Sequence, residues 1–283
     1  MVLCVSLFLV STAANAEETI VASGTCGDNL TWVLTEDGTL TISGTGNMYD
    51  YNSDLYPDGA VPWADCIHKI TSVSIESGVT SIGDWAFSDC WALTEVTISE
   101  GVASIGDSAF YSCESLTEIT IPGSVTSIGD SAFIDCSSLE EVTIPGSVSS
   151  IGDSAFHYCS SLAEITFHGN APAFGDNPFE GVTATAYYPE GNPTWTDDVM
   201  QNYGGNLTWV AYDPVLPGDV NGDGGIDTTD AYLIVMYYNE KSDLDENQLM
   251  AADVDGSGEV DTTDAYYIVM HYNEKIDSFP AQQ

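Results

Sequence analysis

Residues 102–121 read Val102-Ala-Ser-Ile105-Gly106-Asp107-Ser-Ala109-Phe110-Tyr-Ser-Cys113-Glu-Ser-Leu116-Thr-Glu118-Ile119-Thr-Ile121. The phrase returns every 23 residues: Phe87, Phe110, Phe133 and Phe156 keep one phase, as do Cys90, Cys113, Cys136 and Cys159, and Leu93, Leu116, Leu139 and Leu162. Ile82, Ile105, Ile128 and Ile151 keep another. A fixed period in the twenties predicts a solenoid, in which each repeat is one coil and stacked coils bury a shared core. Such a fold offers a long repeated surface rather than a single reaction centre.

Within a coil, Leu93-x-x-Val96-x-Ile98 alternates inward and outward like a strand. Gly106-Asp107 then opens a short turn or single helical turn that carries Ala109, Phe110 and Cys113 inward, and Pro122-Gly123 and Pro145-Gly146 are turn signals. Asp84, Asp107, Asp130, Asp153 and Asp176 each precede that turn and read as N-caps. Glu95, Glu118, Glu141 and Glu164 alternate with inward residues and read as a solvated outer face. Trp63 and Cys66 begin the repeat one residue out of phase, and Phe174 and Phe179 end it. Before it, Leu30–Leu34 and Thr39–Ile42 read as a hairpin turned by Glu36-Asp37-Gly38, a cap over the first coil. Asn29–Val33 and Asn206–Val210 are both Asn-Leu-Thr-Trp-Val, which predicts similar strands in the two caps. Trp85 and Trp91 replace small or acidic residues of later coils, and Tyr111 and His157 are also unmatched. Exposed aromatics stack on sugars or anchor proteins; the alternative is that the first coil packs its Trp side chains on the N-terminal cap.

The formal net charge is −41, with Lys69, Lys241 and Lys275 the only Lys or Arg residues. That balance argues against nucleic acid and against anionic membrane surfaces, and it suits a hard cation bound by oxygen. Residues 1–16 read as a secretory signal, with an apolar run from Val2 to Val10 and Ala14-Asn15-Ala16 as a small-x-small cleavage site. Beyond it no stretch has the ~20 apolar residues of a membrane span. The protein is therefore expected outside the cell. Six cysteines then remain, and the four of the ladder share one inward position, which reads as buried thiols rather than bridges. The four histidines form no metal-ligand spacing, and no carboxylate pair stands out from the repeat, so no catalytic residue is assigned.

A second duplication fills residues 219–275. Asp219, Asn221, Asp223, Asp227 and Asp230 are answered by Asp253, Asp255, Ser257, Asp261 and Asp264. Oxygen donors at positions 1, 3, 5, 9 and 12 of a loop, with Gly224 and Gly258 at position 6, match the calcium loop of an EF-hand. The carbonyls of Gly225 and Glu259 supply position 7, so two calcium ions are expected. Each loop runs into an apolar helix, Ala231–Tyr238 and Ala265–Tyr272, with a third helix over Asp243–Ala252.

Two resemblances follow from these residues. Ser23-Gly24-Thr25-Cys26-Gly27, the Gly38–Gly44 phrase and the repeated Val-Thr-Ser-Ile-Gly-Asp-x-Ala-Phe-x-x-Cys make residues 24–212 resemble BspA-type leucine-rich repeat proteins. That implies a surface adhesion or interaction module. Residues 218–275 resemble a type I dockerin, which implies binding to a cohesin module on a scaffold protein, as in cellulosomes. The resemblance implies partner contacts at Thr228, Thr229, Val235 and Met236, and at Thr262, Thr263, Val269 and Met270. A basic pair often present on that helix face is replaced here by acidic and apolar residues, and Val235 and Met236 read equally as helix core.

The expected fold is thus a mixed α/β solenoid with β-rich caps plus a small all-α, EF-hand-like dockerin domain. Its segments are a signal peptide (1–16), an N-terminal cap (17–62), the solenoid (63–180), a C-terminal cap (181–213), a linker (214–217) and the dockerin (218–283). The expected function is a secreted, non-catalytic binding module anchored to a scaffold, with polysaccharide or a surface protein on the solenoid. The alternative is an accessory enzyme of extracellular polysaccharide degradation.

Overall fold

The computed structural model describes residues 19–51, 61–212, 217, 218, 220, 226, 228–244, 246–273, 275 and 279. The expected signal peptide and most of the expected linker lie outside them. The chain divides into two compact units, Met1–Tyr212 and Asp213–Gln283.

The first unit opens with an antiparallel meander of β1 (Ile20–Thr25), β2 (Leu30–Thr35) and β3 (Thr39–Gly44), followed by the short β4 (Gly46–Asn47). Each later coil contributes two strands. The first row is β5 (Ser72–Ile75), β7 (Glu95–Ile98), β9 (Glu118–Ile119), β11 (Glu141–Ile144) and β13 (Glu164–Phe167). The second row is β6 (Val79–Ile82), β8 (Ser104–Ile105), β10 (Ser127–Ile128), β12 (Ser150–Ile151) and β14 (Ala173–Phe174). The unit closes with β15 (Thr183–Pro189) and β16 (Asn206–Tyr212). Rows pair in parallel with like on like: Val73 opposite Val96, Glu95 opposite Glu118, Ile105 opposite Ile128. The result is a β-solenoid of about six turns.

Of the two forms expected for the third side, a short turn or a single helical turn, the coils from Gly83 onward take the short turn, and a 3-10 helix (Ala64–Lys69) precedes them, so the solenoid is a β-solenoid rather than a mixed α/β one. The third side is a run of tight turns in which alternate backbone N–H groups donate to the next coil, while those between them close turns within their own segment, as Ala86 N does to Gly83 O and Ser88 N to Trp85 O, both at 3.3 Å. Trp85 N donates to Asp107 O at 2.8 Å, Phe87 N to Ala109 O at 2.7 Å, and Asp89 N to Tyr111 O at 2.8 Å. Two positions per coil are left-handed, with φ of 54° at Ser108 and 55° at Ser112, and their counterparts elsewhere repeat this. A left-handed residue ends a right-handed helix, so no helix propagates there.

The aspartate row is corrected in the same way. Asp107 N donates to Asp84 Oδ1 at 2.8 Å, Asp130 N to Asp107 Oδ1 at 2.8 Å, Asp153 N to Asp130 Oδ1 at 2.8 Å and Asp176 N to Asp153 Oδ1 at 2.6 Å. Each carboxylate therefore accepts from the neighbouring coil and does not cap its own turn. The glycine before each Asp makes this approach possible: a Cβ on Gly106 would lie 2.5 Å from Asp84 Oδ1 and 2.7 Å from its backbone N. Burial pushes the Asp84 carboxyl up from the ordinary aspartate range, while the Asp107 N–H opposes that rise.

The interior is a set of ladders. Trp63, Phe87, Phe110, Phe133, Phe156 and Phe179 stack along the axis with ring centres 5.1 to 5.7 Å apart. Trp63 tops this column although its place in the sequence is one residue off phase. It meets Trp32 edge-on at 5.7 Å and donates from Nε1 to Ala86 O at 3.2 Å. Trp63 thus closes the core against the N-terminal cap. Trp85 instead lies against Tyr111 of the next coil, with ring centres 5.6 Å apart, and Trp91 is 53 % exposed. At the other end Phe167, Trp195 and Trp209 form the closing cluster. The four ladder cysteines are free and buried, as expected. The thiols of Cys113, Cys136 and Cys159 donate to the carbonyls of Phe87, Phe110 and Phe133, and burial drives the Cys113 thiol well above its usual range.

The second unit contains α1 (Thr228–Tyr238), α2 (Glu246–Ala252) and α3 (Thr262–Tyr272). Ala231, Ile234, Ala252, Val254, Ala265, Ile268 and Phe279 form its core.

Because Phe133 is fully buried between two stacked rings, Phe133→Ala should destabilise the solenoid by roughly 3–5 kcal/mol in denaturant unfolding. Ser131→Ala, on the partly exposed turn side, should change stability by less than about 0.5 kcal/mol. Equal losses from the two would contradict the winding described.

Candidate metal centre and partner face

The second acidic loop connects α2 to α3. Its carboxylates from Asp253, Asp255 and Asp264 present oxygens that all lie within 4.8 Å of one another. The loop folds around them by its own backbone. Ser257 N donates to Asp253 Oδ1 and to Asp255 Oδ1, each at 3.0 Å, and Gly258 N donates to Asp253 Oδ2 at 2.9 Å. Gly258 has φ of 82°, a left-handed position that glycine adopts without strain. Ser257 Oγ donates to the Glu259 carbonyl at 3.0 Å.

Asp264 is fully buried and sits in the first turn of α3. It accepts from Asp255 N at 3.2 Å and Asp261 N at 2.9 Å. Burial raises its carboxyl above the usual range; those two N–H groups lower it, and the neighbouring Asp255 and Asp253 charges raise it further. Asp261 N-caps α3 by accepting from Thr263 N, and with Asp264 it completes a capping box. Three converging carboxylates, one wholly buried and none paired with Lys or Arg among the described residues, fit a hard divalent cation.

Of the first loop, Asp219, Asn221, Asp223, Gly225 and Asp227 lie outside the described residues. Asp230 is described, fully buried in the first turn of α1, as its counterpart Asp264 is in α3.

Four of the eight expected partner residues come together. Thr228 and Val235 of α1 and Thr262 and Val269 of α3 line one shallow groove, together with Ala231, Tyr232, Ala265 and Tyr266. Thr229, Met236, Thr263 and Met270 do not line it. Tyr232 and Tyr266, exposed at 58 % and 57 %, are not among the expected contact residues. Their signal was present: Thr228, Tyr232 and Val235 fall at i, i+4 and i+7, one helix face, and Thr262, Tyr266 and Val269 repeat it. Val235 is itself exposed, whereas Ile234 and Ile268 fill the core.

On the solenoid, Glu95, Glu118, Glu141 and Glu164 are exposed in register along the first strand row. His68, His157, His168 and His271 join no metal-competent cluster among the described residues.

Comparison with known proteins matches both units. Residues 63–185 match the family model of the BspA type leucine rich repeat region, in six copies, and residues 217–272 match the Dockerin type I domain. No curated protein matches the chain. Similar solved structures include a leucine-rich repeat protein from Eubacterium ventriosum, at 19 % identity and TM-score 0.33, with 67 % of this chain and 85 % of that one covered. Another, from Bacteroides ovatus, has 26 % identity and TM-score 0.41, covering 58 % and 42 %. A leucine rich cell surface protein from Faecalibacterium prausnitzii has 27 % identity and TM-score 0.38, covering 58 % and 54 %. The chain thus spans about half the length of the latter two. It joins a BspA-type leucine-rich repeat region to a type I dockerin domain.

Proposed function

We propose that this chain is a secreted, non-catalytic interaction protein, in which a calcium-loaded dockerin fastens the molecule to a cohesin-bearing scaffold and the solenoid presents a surface to a polysaccharide or a surface protein. The observation that carries the reading is the acidic loop of Asp253, Asp255 and Asp264 within the region that matches a dockerin. Both matched regions are non-catalytic kinds of module. No helix among the described residues is long and apolar enough to cross a membrane.

In this reading the second unit is EF-hand-like, with domain limits as the sequence sets them. Asp253, Asp255, Ser257, the Glu259 carbonyl, Asp261 and Asp264 hold one calcium ion. Asp219, Asn221, Asp223, the Gly225 carbonyl, Asp227 and Asp230 hold the other. The two ions offset four of the thirteen net negative charges left by fifteen acids and two lysines over residues 218–283, and they add stability by binding the folded state alone. Cohesin contacts come from Thr228, Thr229, Val235 and Met236 in one half and Thr262, Thr263, Val269 and Met270 in the other. Because the groove takes matching residues from both halves, a half-turn exchanges near-identical surfaces and permits two binding orientations.

Chelation with EDTA should abolish the helical circular dichroism and amide dispersion of residues 218–283 and leave the solenoid signals intact. Asp264→Ala should reproduce much of that loss at limiting calcium. If neither treatment alters the helical signals, calcium does not hold this unit together.

Titration calorimetry with a purified cohesin tests the two orientations. Thr228→Asp with Val235→Asp, or Thr262→Asp with Val269→Asp, should each leave affinity nearly intact, while all four changes together should eliminate binding. Loss of most of the affinity in either double variant alone means that one face carries recognition.

A further inference from the structure

The groove of the second unit holds two side chains that folding does not call for. Tyr232 of α1 and Tyr266 of α3 stand at equivalent places in the two halves, and both line the groove. Each exposes more than half of its surface, whereas Ile234 and Ile268 on the same helices are fully buried. Neither ring belongs to the core of the unit, and neither hydroxyl is hydrogen-bonded among the described residues. An exposed helix position is served at least as well by Ala, Lys or Glu, which favour the helix more than Tyr does.

The floor between the rings is low. Ala231 and Ala265 are nearly buried there, and Val235 and Val269 continue the lining. No charged residue lines the groove, although residues 218–283 hold fifteen acids and two lysines. An uncharged, tyrosine-bearing patch within a charged surface has the composition of an interface centre inside its rim. Tyrosine suits that place because it buries a wide, rigid ring and orders only two side-chain torsions in doing so.

The groove's chemistry also limits what can face it. An acidic partner surface would be met by basic side chains, and Lys241 and Lys275, the only Lys or Arg of residues 218–283, do not line the groove. A basic partner surface would be met by carboxylates, and none lines it either.

We propose that Tyr232 and Tyr266 are the anchors with which this groove recognises its cohesin, and that the cohesin surface they meet is apolar and uncharged. The proposal rests on the cohesin reading given above and deepens it by naming the two anchoring residues and the partner's chemistry. Since a half-turn exchanges Tyr232 with Tyr266, the two are changed together. The test is titration calorimetry of the full chain, loaded with calcium, against each of a panel of purified cohesin modules. Tyr232→Ala with Tyr266→Ala should weaken binding by about thirty-fold or more, with helical circular dichroism and calcium affinity unchanged. Alanine is the strongest helix former, so the pair is compatible with the fold. Tyr238→Ala with Tyr272→Ala is the control, because these tyrosines are as exposed, at 56 % and 53 %, and lie outside the groove. It should change affinity by less than about three-fold. Tyr232→Lys with Tyr266→Lys should bind no better than the alanine pair. Unchanged affinity in the alanine pair, or an equal loss in the control, would overturn the anchoring role and leave the cohesin reading standing. A lysine pair that binds as tightly as the parent would mean that the facing surface is acidic, and would overturn the proposed chemistry. If the calcium-loaded parent binds no cohesin of the panel, the cohesin reading falls and the proposal falls with it.

Discussion

Every coil of this solenoid must hand its backbone hydrogen bonds to the next. The strands are two to four residues long within the repeats, too short to stand alone, and the turn side bonds outward as well. A buried polar backbone group without a partner is costly, so each coil is stable only when its neighbours lie in register. That single constraint accounts for the fixed 23-residue phase, for the glycine that admits each Asp carboxylate, and for the stacking of like residues on like. It also explains why the two ends need separate solutions. One is an antiparallel meander closed by Trp63, the other a cluster around Trp195 and Trp209.

The same stacking that aligns the core aligns charge. Glutamates sit opposite glutamates on the first strand row, and aspartates follow aspartates on the turn side. Like charges in register oppose one another, and one Lys stands among residues 19–212 to offset them. The aspartate row offsets part of that cost by using one carboxylate oxygen as an acceptor for the next coil. In the second unit, acids also converge, around a loop that wraps Asp253, Asp255 and Asp264. There the offset is proposed to be calcium. Both units thus place acids in fixed geometry, one by coil register and the other by a tight glycine turn.

The interior of the solenoid was legible because its period is a one-dimensional signal. Phe110, Cys113 and Leu116 point inward for the same reason in every coil. The turn side stays open to two readings in sequence because Ala109, Phe110 and Cys113 have a spacing that suits one helical turn as well as consecutive tight turns. Nothing in Ser108 or Ser112 announces a positive φ. The aspartates were misread as caps because a single coil, taken alone, shows only its own N–H groups; the true donor lies 23 residues on. Strand β1 escaped notice since Ile20-Val-Ala-Ser-Gly-Thr25 lacks alternation, and its pairing with β2 defines it. In the second unit the loop spacing of Asp253 to Asp264 was plain, as were α1 and α3. Tyr232 and Tyr266 belong with Thr228 and Val235, and with Thr262 and Val269, only through the helix face they share, since neither stands at a loop position of the motif.

The claim that inter-coil register governs the fold is tested most directly by deleting one coil. Pro122-Gly123-Ser124-Val125 and Pro145-Gly146-Ser147-Val148 are the same phrase, so removal of residues 124–146 joins like to like and takes out 23 residues. Equilibrium urea unfolding of that variant, beside one lacking only residues 124–145, is the measurement. The in-phase deletion should unfold cooperatively with a reduced denaturant slope, as expected for less buried surface, while the out-of-phase deletion should lose most of its stability or fail to fold. Equal stability in the two variants would contradict the account.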